Sequence, residues 1–216
     1  MKNPIIPNLE IPVHTIFCIG RNYANHAKEM GHDTPDEPIV FLKPLSSVCL
    51  TNSTINIPIQ SLDIHHEVEM VLAIGKSGKN IPKETALEHL AGFGIGIDFT
   101  ARDIQKKAKD NGEPWSIAKG FDNFAPIGNF IPFNSNSFPE CNFNLSINGE
   151  IKQQGITSKM IFDVPTLISF LSNIFTLEEG DLIFSGTPEG VSAVKAGDIL
   201  HADLENGKST LNVTIA

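Results

Sequence analysis

The sequence predicts an α+β fold, with a large mixed β core and a few short helices. Three observations point there. Strand-like apolar segments outnumber helical ones eight to three. They do not alternate regularly with helices as a parallel α/β sheet requires. An Asn-Gly turn joins two alternating segments at 147–151, which is a hairpin signature. A length of 216 residues suits a single domain spanning 1–216, since one core commonly extends to about 250 residues.

The expected strands are 15–19, 38–42, 68–74, 93–97, 143–147, 182–184, 199–204 and 211–215. Each is a short apolar or alternating run bounded by turn residues. Helices are expected at 84–90, stopped by Gly92, and at 100–109, opened by Thr100-x-x-Asp103 as an incomplete capping box and stopped before Gly112. A third is expected at 165–175, where Pro165 leads and Leu167, Ile168, Leu171 and Phe175 recur at helical spacing. The Asn/Ser-rich stretch 134–142 reads as a surface loop.

Composition excludes several classes. With 41% hydrophobic and 19% charged residues, the chain has an ordinary globular balance rather than that of a disordered one. No apolar run approaches the ~18 residues of a membrane helix, and the Met1-Lys2-Asn3-Pro4 start lacks a signal-peptide layout. A cytoplasmic protein without membrane contact is expected. Cys18, Cys49 and Cys141 are odd in number and far apart, which fits neither a disulfide framework nor a CxxC zinc site. Net charge is −9, and the basic cluster Lys106, Lys107 and Lys109 reads as a solvated helix face, so no nucleic-acid partner is expected.

Nucleotide and serine-hydrolase signatures also fail. Gly92-Phe93-Gly94-Ile95-Gly96 lacks the third glycine of a dinucleotide loop, Met70 stands where a P-loop before Gly75-Lys76-Ser77 needs glycine, and Ser185 has no glycine two places earlier. Arginine is more informative. Only Arg21 and Arg102 are arginines among 16 basic residues. Keeping a planar two-pronged donor where lysine is the habit suits recognition of a substrate carboxylate, although two structural ion pairs would also account for them.

The segment His65-His66-Glu67-Val68-Glu69 carries the strongest chemistry. On a strand, Glu67 and Glu69 share one face, and two carboxylates beside an apolar run resist burial unless a cation lies between them. Oxygen ligands suit Mg²⁺ or Mn²⁺. An ordinary surface strand with two exposed glutamates has the same spacing. Asp98, at the end of 93–97, supplies a third carboxylate, with Asp103 as its competitor. His65 shares the glutamate face and is either a ligand or a packed histidine beside the site. His26 and Glu29, three apart, meet on one helical turn, and His32 is an alternative partner for Glu29.

Gly20-Arg21-Asn22-Tyr23-Ala24-Asn25-His26, Phe41-Leu42-Lys43-Pro44, His65–Glu69, Asp98-Phe99-Thr100-Ala101-Arg102-Asp103 and Ser185-Gly186-Thr187-Pro188-Glu189-Gly190-Val191 together resemble the fumarylacetoacetate hydrolase family. The likeness runs over nearly the whole chain and is nearest to its short acylpyruvate hydrolases, some of which decarboxylate oxaloacetate. The resemblance implies a mixed-β roll, a homodimer, Mg²⁺ or Mn²⁺ on Glu67, Glu69 and Asp98, and a lid around His26. It further implies that His26 and Glu29 activate water. Arg102, Gln105, Lys119 and Thr187 then surround the bound 2-oxo acid, with Lys119 as an added charge or, in the plain alternative, an exposed structural lysine. The expected activity is metal-dependent C–C cleavage of an acylpyruvate, with oxaloacetate decarboxylation as a second activity. An isomerase or dehydratase of a 2-oxo acid, or a non-catalytic keto-acid binder, is the alternative.

Overall fold

Alternation along the strand Val68–Ile74 sets the layering of the molecule. Val68, Met70, Leu72 and Ile74 pack into the larger core, while Val71 and Ala73 pack into a second core on the opposite side. Every residue of this strand is buried, as expected of a central strand covered on both faces. The computed structural model describes residues 3–31 and 33–216.

The strand lies within a seven-stranded mixed sheet. The order is Ile39–Lys43, Ile16–Gly20, Leu182–Phe184, Val68–Ile74, Leu90–Ile97, Ala125–Pro132 and Val48–Leu50. A five-stranded sheet, ordered Glu150–Ile156, Asn142–Ile147, Ile199–Leu204, Ser209–Ile215 and Ser53–Ile55, contributes Phe143, Leu145, Leu200 and Leu211 to the larger core. The result is the mixed-sheet roll anticipated above, with a curled half-barrel and few helices. Asn148 and Gly149 have φ of 52° and 85°, the doubly left-handed pair of a tight hairpin turn.

Four α-helices are described: α1 Ala24–Glu29, α2 Arg102–Asn111, α3 Ser116–Lys119 and α4 Val164–Ile174. Asp163 caps α4 by accepting the Thr166 amide at 3.0 Å. Two helix expectations need correction. Residues 83–89 form a 3₁₀ helix rather than an α-helix. The capping box at Thr100 does not form: Thr100–Ala101 is a short strand pairing with Ile64–His66, and α2 starts at Arg102 without a side-chain cap. Asp103 turns away to accept from Ser61 Oγ at 2.6 Å and the Leu62 amide at 2.9 Å. Tertiary partners outcompeted the local cap. The Ala125–Pro132 strand was not expected at all, because Pro126, Gly128 and Asn129 break its apolar pattern.

Candidate active site

Cross-strand register brings the carboxylates together. Glu69 lies opposite Gly96 and Val68 opposite Ile97, and the Asp98 amide donates to the Glu67 carbonyl at 2.8 Å. Asp98 therefore leaves its strand beside Glu67, with Glu69 diagonal to both. Ligand oxygens of the three lie within 4.8 Å of one another, and all three side chains are buried. Gly96, opposite Glu69, is required by the apolar packing beside it: a Cβ there would stand 2.7 Å from Val71 and 2.8 Å from Phe184. His65 joins Asp63 at 2.9 Å instead of the carboxylate group, and Asp103 is engaged elsewhere. Among the described residues, the carboxylates placed to hold a metal ion are Glu67, Glu69 and Asp98.

Protein cations balance these charges unevenly. Lys119 is 2% exposed, which excludes the exposed-lysine alternative. Its ammonium donates to Glu67 Oε2 at 2.8 Å, Asp98 Oδ2 at 2.6 Å and Thr100 Oγ1 at 2.6 Å. Burial opposes its charge, but Asp98 and Glu67 outweigh that and hold its pKa above the usual lysine value. Arg102 pairs with Glu67 and donates to Gln105 Oε1 at 2.7 Å. Burial alone would raise the Glu67 carboxyl, yet Lys119 and Arg102 draw it well below the ordinary range.

Among the described residues, Glu69 touches no cation and accepts only the Gly186 amide, at 2.7 Å. Burial, then the charges of Asp98 and Glu67, push its carboxyl well above the ordinary range. Asp98 Oδ1 accepts no hydrogen bond, although Lys43 Nζ lies 2.7 Å away. The three protons of Lys43 are directed at the carbonyls of Phe99, Lys119 and Phe124. A buried carboxylate with no counter-charge and an orphaned carboxylate oxygen fit a hard divalent cation with oxygen ligands.

Above this floor stands His26, 6% exposed, with Nδ1 3.3 Å from Glu29 Oε2. Glu29 also accepts the Gly190 amide at 3.1 Å, and Asn25 donates to Glu189 at 3.0 Å. Helix α1 is thereby docked on the 187–190 loop. His32 lies outside the described residues. The bend entering α1 is anchored by Asn22, whose amide exchanges hydrogen bonds with Phe162 and donates to the Ser185 carbonyl at 2.8 Å. Arg21 sits on this bend with φ of 58°, a conformation that costs a non-glycine residue about 1–3 kcal/mol and clusters at functional sites. Gly186 faces the bend with φ of 99°, where a Cβ would lie 2.6 Å from Asn22, so only glycine brings its amide onto Glu69.

A cavity of about 40 Å³ lies between the two, and its lining includes Arg21, His26, Glu69, Arg102, Gln105 and Lys119. Thr187, which donates to the Val68 carbonyl at 2.9 Å, also borders it. All ten expected site residues thus converge. Lys109 and Trp115 line the cavity as well, which corrects the reading of Lys109 as part of a solvated face. Its spacing on α2, seven residues after Arg102 and four after Gln105, was the signal for this. Lys43 was noted only as part of a resemblance; nothing local to it announces a buried ammonium.

Residues 15–216 match the family model for the fumarylacetoacetate (FAA) hydrolase C-terminal region. The chain belongs to the fumarylacetoacetate hydrolase family. It is 48% identical over 191 residues, 88% of each chain, to a mitochondrial oxaloacetate decarboxylase of Dictyostelium discoideum. It is 46% identical over 190 residues, 88% of this chain and 85% of the relative, to a mitochondrial oxaloacetate tautomerase of Arabidopsis thaliana. The crystal structure of fumarylpyruvate hydrolase from Pseudomonas aeruginosa in complex with Mn²⁺ and pyruvate superposes with a TM-score of 0.92 at 38% identity. That match covers 100% of this chain and 95% of the other. Among the described residues no helix is long and apolar enough to cross a membrane.

Proposed function

We propose that this family member is a divalent-metal-dependent enzyme acting beside the 2-oxo group of a small 2-oxo acid. Keto–enol proton transfer on oxaloacetate, with loss of its distal carboxylate as CO₂ as a related activity, is the leading chemistry. The observation behind it is the buried His26 imidazole, backed by Glu29 and facing three clustered carboxylates. Glu67, Glu69 and Asp98 would hold Mg²⁺ or Mn²⁺, which supplies Lewis-acid charge to the 2-oxo group when bound.

The chain's own groups then divide the work. Arg102 offers a forked donor to the substrate carboxylate and Gln105 steadies that fork. Glu29 at Nδ1 leaves His26 Nε2 to take the proton from the carbon next to the 2-oxo group and pass it to the 2-oxo oxygen, giving the enol, or to run the same transfer in reverse. Lys119, kept charged by Asp98 and Glu67, is not a base. With its three N–H groups given to Glu67, Asp98 and Thr100, it stabilises developing negative charge as a fixed nearby cation. Relatives named for oxaloacetate decarboxylation and tautomerisation support this choice of substrate.

A second reading is hydrolytic cleavage of an acylpyruvate, in which His26 deprotonates a water that attacks the distal carbonyl and pyruvate leaves. The neighbour named fumarylpyruvate hydrolase, complexed with Mn²⁺ and pyruvate, favours it. A cytoplasmic homodimer remains part of the proposal; gel filtration with light scattering tests the dimer. The deciding experiment follows decay of oxaloacetate enol absorbance and, in parallel, pyruvate release from oxaloacetate and from an acylpyruvate, with Mg²⁺ and with chelator. Faster enol loss than pyruvate release supports the first reading, and acylpyruvate cleavage supports the second. Rates equal to the chelated blank throughout would remove both.

A further inference from the structure

Arg102, Gln105 and Lys109 stand at i, i+3 and i+7 on α2, so one stripe of that helix faces the cavity. Arg102 donates to Gln105 and to Glu67. Lys109 follows two turns later, about 10 Å along the axis. No carboxylate lies within ion-pair distance of Lys109 among the described residues; its ammonium rests over the Trp115 ring, 5.2 Å from the centroid. Arg21, also lining the cavity, has no carboxylate partner among the described residues either. Lys106, on the exposed side of α2, behaves differently and pairs with Asp110 at 2.9 Å.

Leaving two half-buried cations without counter-ions is costly, and more so for neighbours of like sign. Burial, then Arg102 and Arg21, lower the Lys109 pKa to about 8. Asp98 and Glu67 are already faced by Lys43, Lys119 and Arg102, and a divalent cation would balance Glu69. Arg21 and Lys109 are therefore surplus positive charge at the cavity, in a chain whose net charge is −9. A ligand must bring the missing negative charge, and one chelating carboxylate does not supply enough.

We propose that Lys109, together with Arg21, receives a second carboxylate at the far end of the substrate, making Lys109 the residue that selects dicarboxylic over monocarboxylic 2-oxo acids. This rests on the reading above, in which the 2-oxo acid end lies at Glu67, Glu69 and Asp98. Trp115, edge-on to Phe41 with ring centroids 5.7 Å apart, limits where the ammonium can go, so the charge is aimed and not merely nearby.

Trp115 is the single tryptophan, and its fluorescence, followed by stopped flow, reports ligand binding ahead of turnover. The Mg²⁺-loaded protein is titrated with oxaloacetate and with its 4-methyl ester, which matches it in shape but lacks the distal charge. Lys109→Gln should weaken oxaloacetate binding ~10- to 100-fold and leave the ester within about twofold, while Lys109→Arg should restore most of the loss. A normal response of the unaltered protein combined with an unchanged acid-to-ester ratio in Lys109→Gln overturns the distal-carboxylate role alone. An equal loss for both compounds overturns it too, since that is a structural effect. If neither compound perturbs Trp115 in the unaltered protein, the proposed function falls with it.

Discussion

The floor and the wall of the cavity are built on opposite principles. On the floor, Glu67, Glu69 and Asp98 project from the ends of central strands buried on both faces, and the Lys119 ammonium meets its three partners at 2.6–2.8 Å. On the wall, His26 rides on a helix of six residues, and its bond to Glu29 is 3.3 Å long. A helix that short is not stable by itself, so α1 depends on Asn22, Asn25 and Glu29 for its position. The carboxylates proposed to hold a cation are fixed by sheet register, whereas the imidazole proposed to move a proton is carried by a short helix held through side-chain bonds. The proposed cation site and the proposed base thus come from different parts of one fold.

Breaking the floor should have the largest effect. Asp98→Asn should lower kcat/KM by more than ~10³-fold, and chelation of the unaltered protein should do the same. The Mg²⁺-induced rise in Tm should vanish with it; a variant that keeps that rise would remove Asp98 from the ligand set.

Breaking the wall should cost less and spare the floor. His26→Ala should lower turnover ~10²–10⁴-fold, with the Mg²⁺-induced rise in Tm unchanged. Loss of metal binding in this variant would show that floor and wall are not separable. Glu29→Gln should act in the same direction by ~10-fold or less, as expected of a group that orients the base.

Arg102 touches both regions through Glu67 and the cavity. Arg102→Lys conserves charge but loses the fork, and should raise KM or lower kcat ~10-fold or more. Wild-type kinetics would reduce it to a structural ion pair.

Two smaller effects depend on pH. The pKa of Lys109 is depressed to about 8, so affinity for a dianionic 2-oxo acid should fall as pH rises through 8, up to ~10-fold. Lys109→Arg should flatten that profile. Glu69 has a raised carboxyl pKa, so the folded metal-free protein retains a proton that the unfolded chain gives up. This residue therefore costs stability increasingly as pH rises above the ordinary carboxylate pKa. Glu69→Gln should raise the metal-free Tm at neutral pH by about 2–8 °C while abolishing the further rise on adding Mg²⁺. A lower metal-free Tm would contradict the charge crowding described here.

Much of this protein was determined by sequence alone. The strands Val68–Ile74, Leu182–Phe184 and Ile199–Leu204 fall where apolar runs end at turn residues, and Asn148-Gly149 turns the hairpin. The carboxylate set was legible because two glutamates on one strand face and a strand-end aspartate are local patterns. Tertiary structure decided what depends on partners far away in the chain. The Ala125–Pro132 strand, with its proline, glycine and asparagine, is stable only because Leu90–Ile97 and Val48–Leu50 flank it. Thr100 abandons a helix cap because Lys119 and the Ile64–His66 strand claim it. Lys43 becomes a buried ammonium because three carbonyls from distant segments converge on it, and Lys109 turns inward because its helix packs against the cavity. Sequence periodicity reports which face of an element is apolar. Which polar group meets which is settled only when long-range pairing closes the sheet, because the cost of burying a charge depends on partners that the local sequence does not contain.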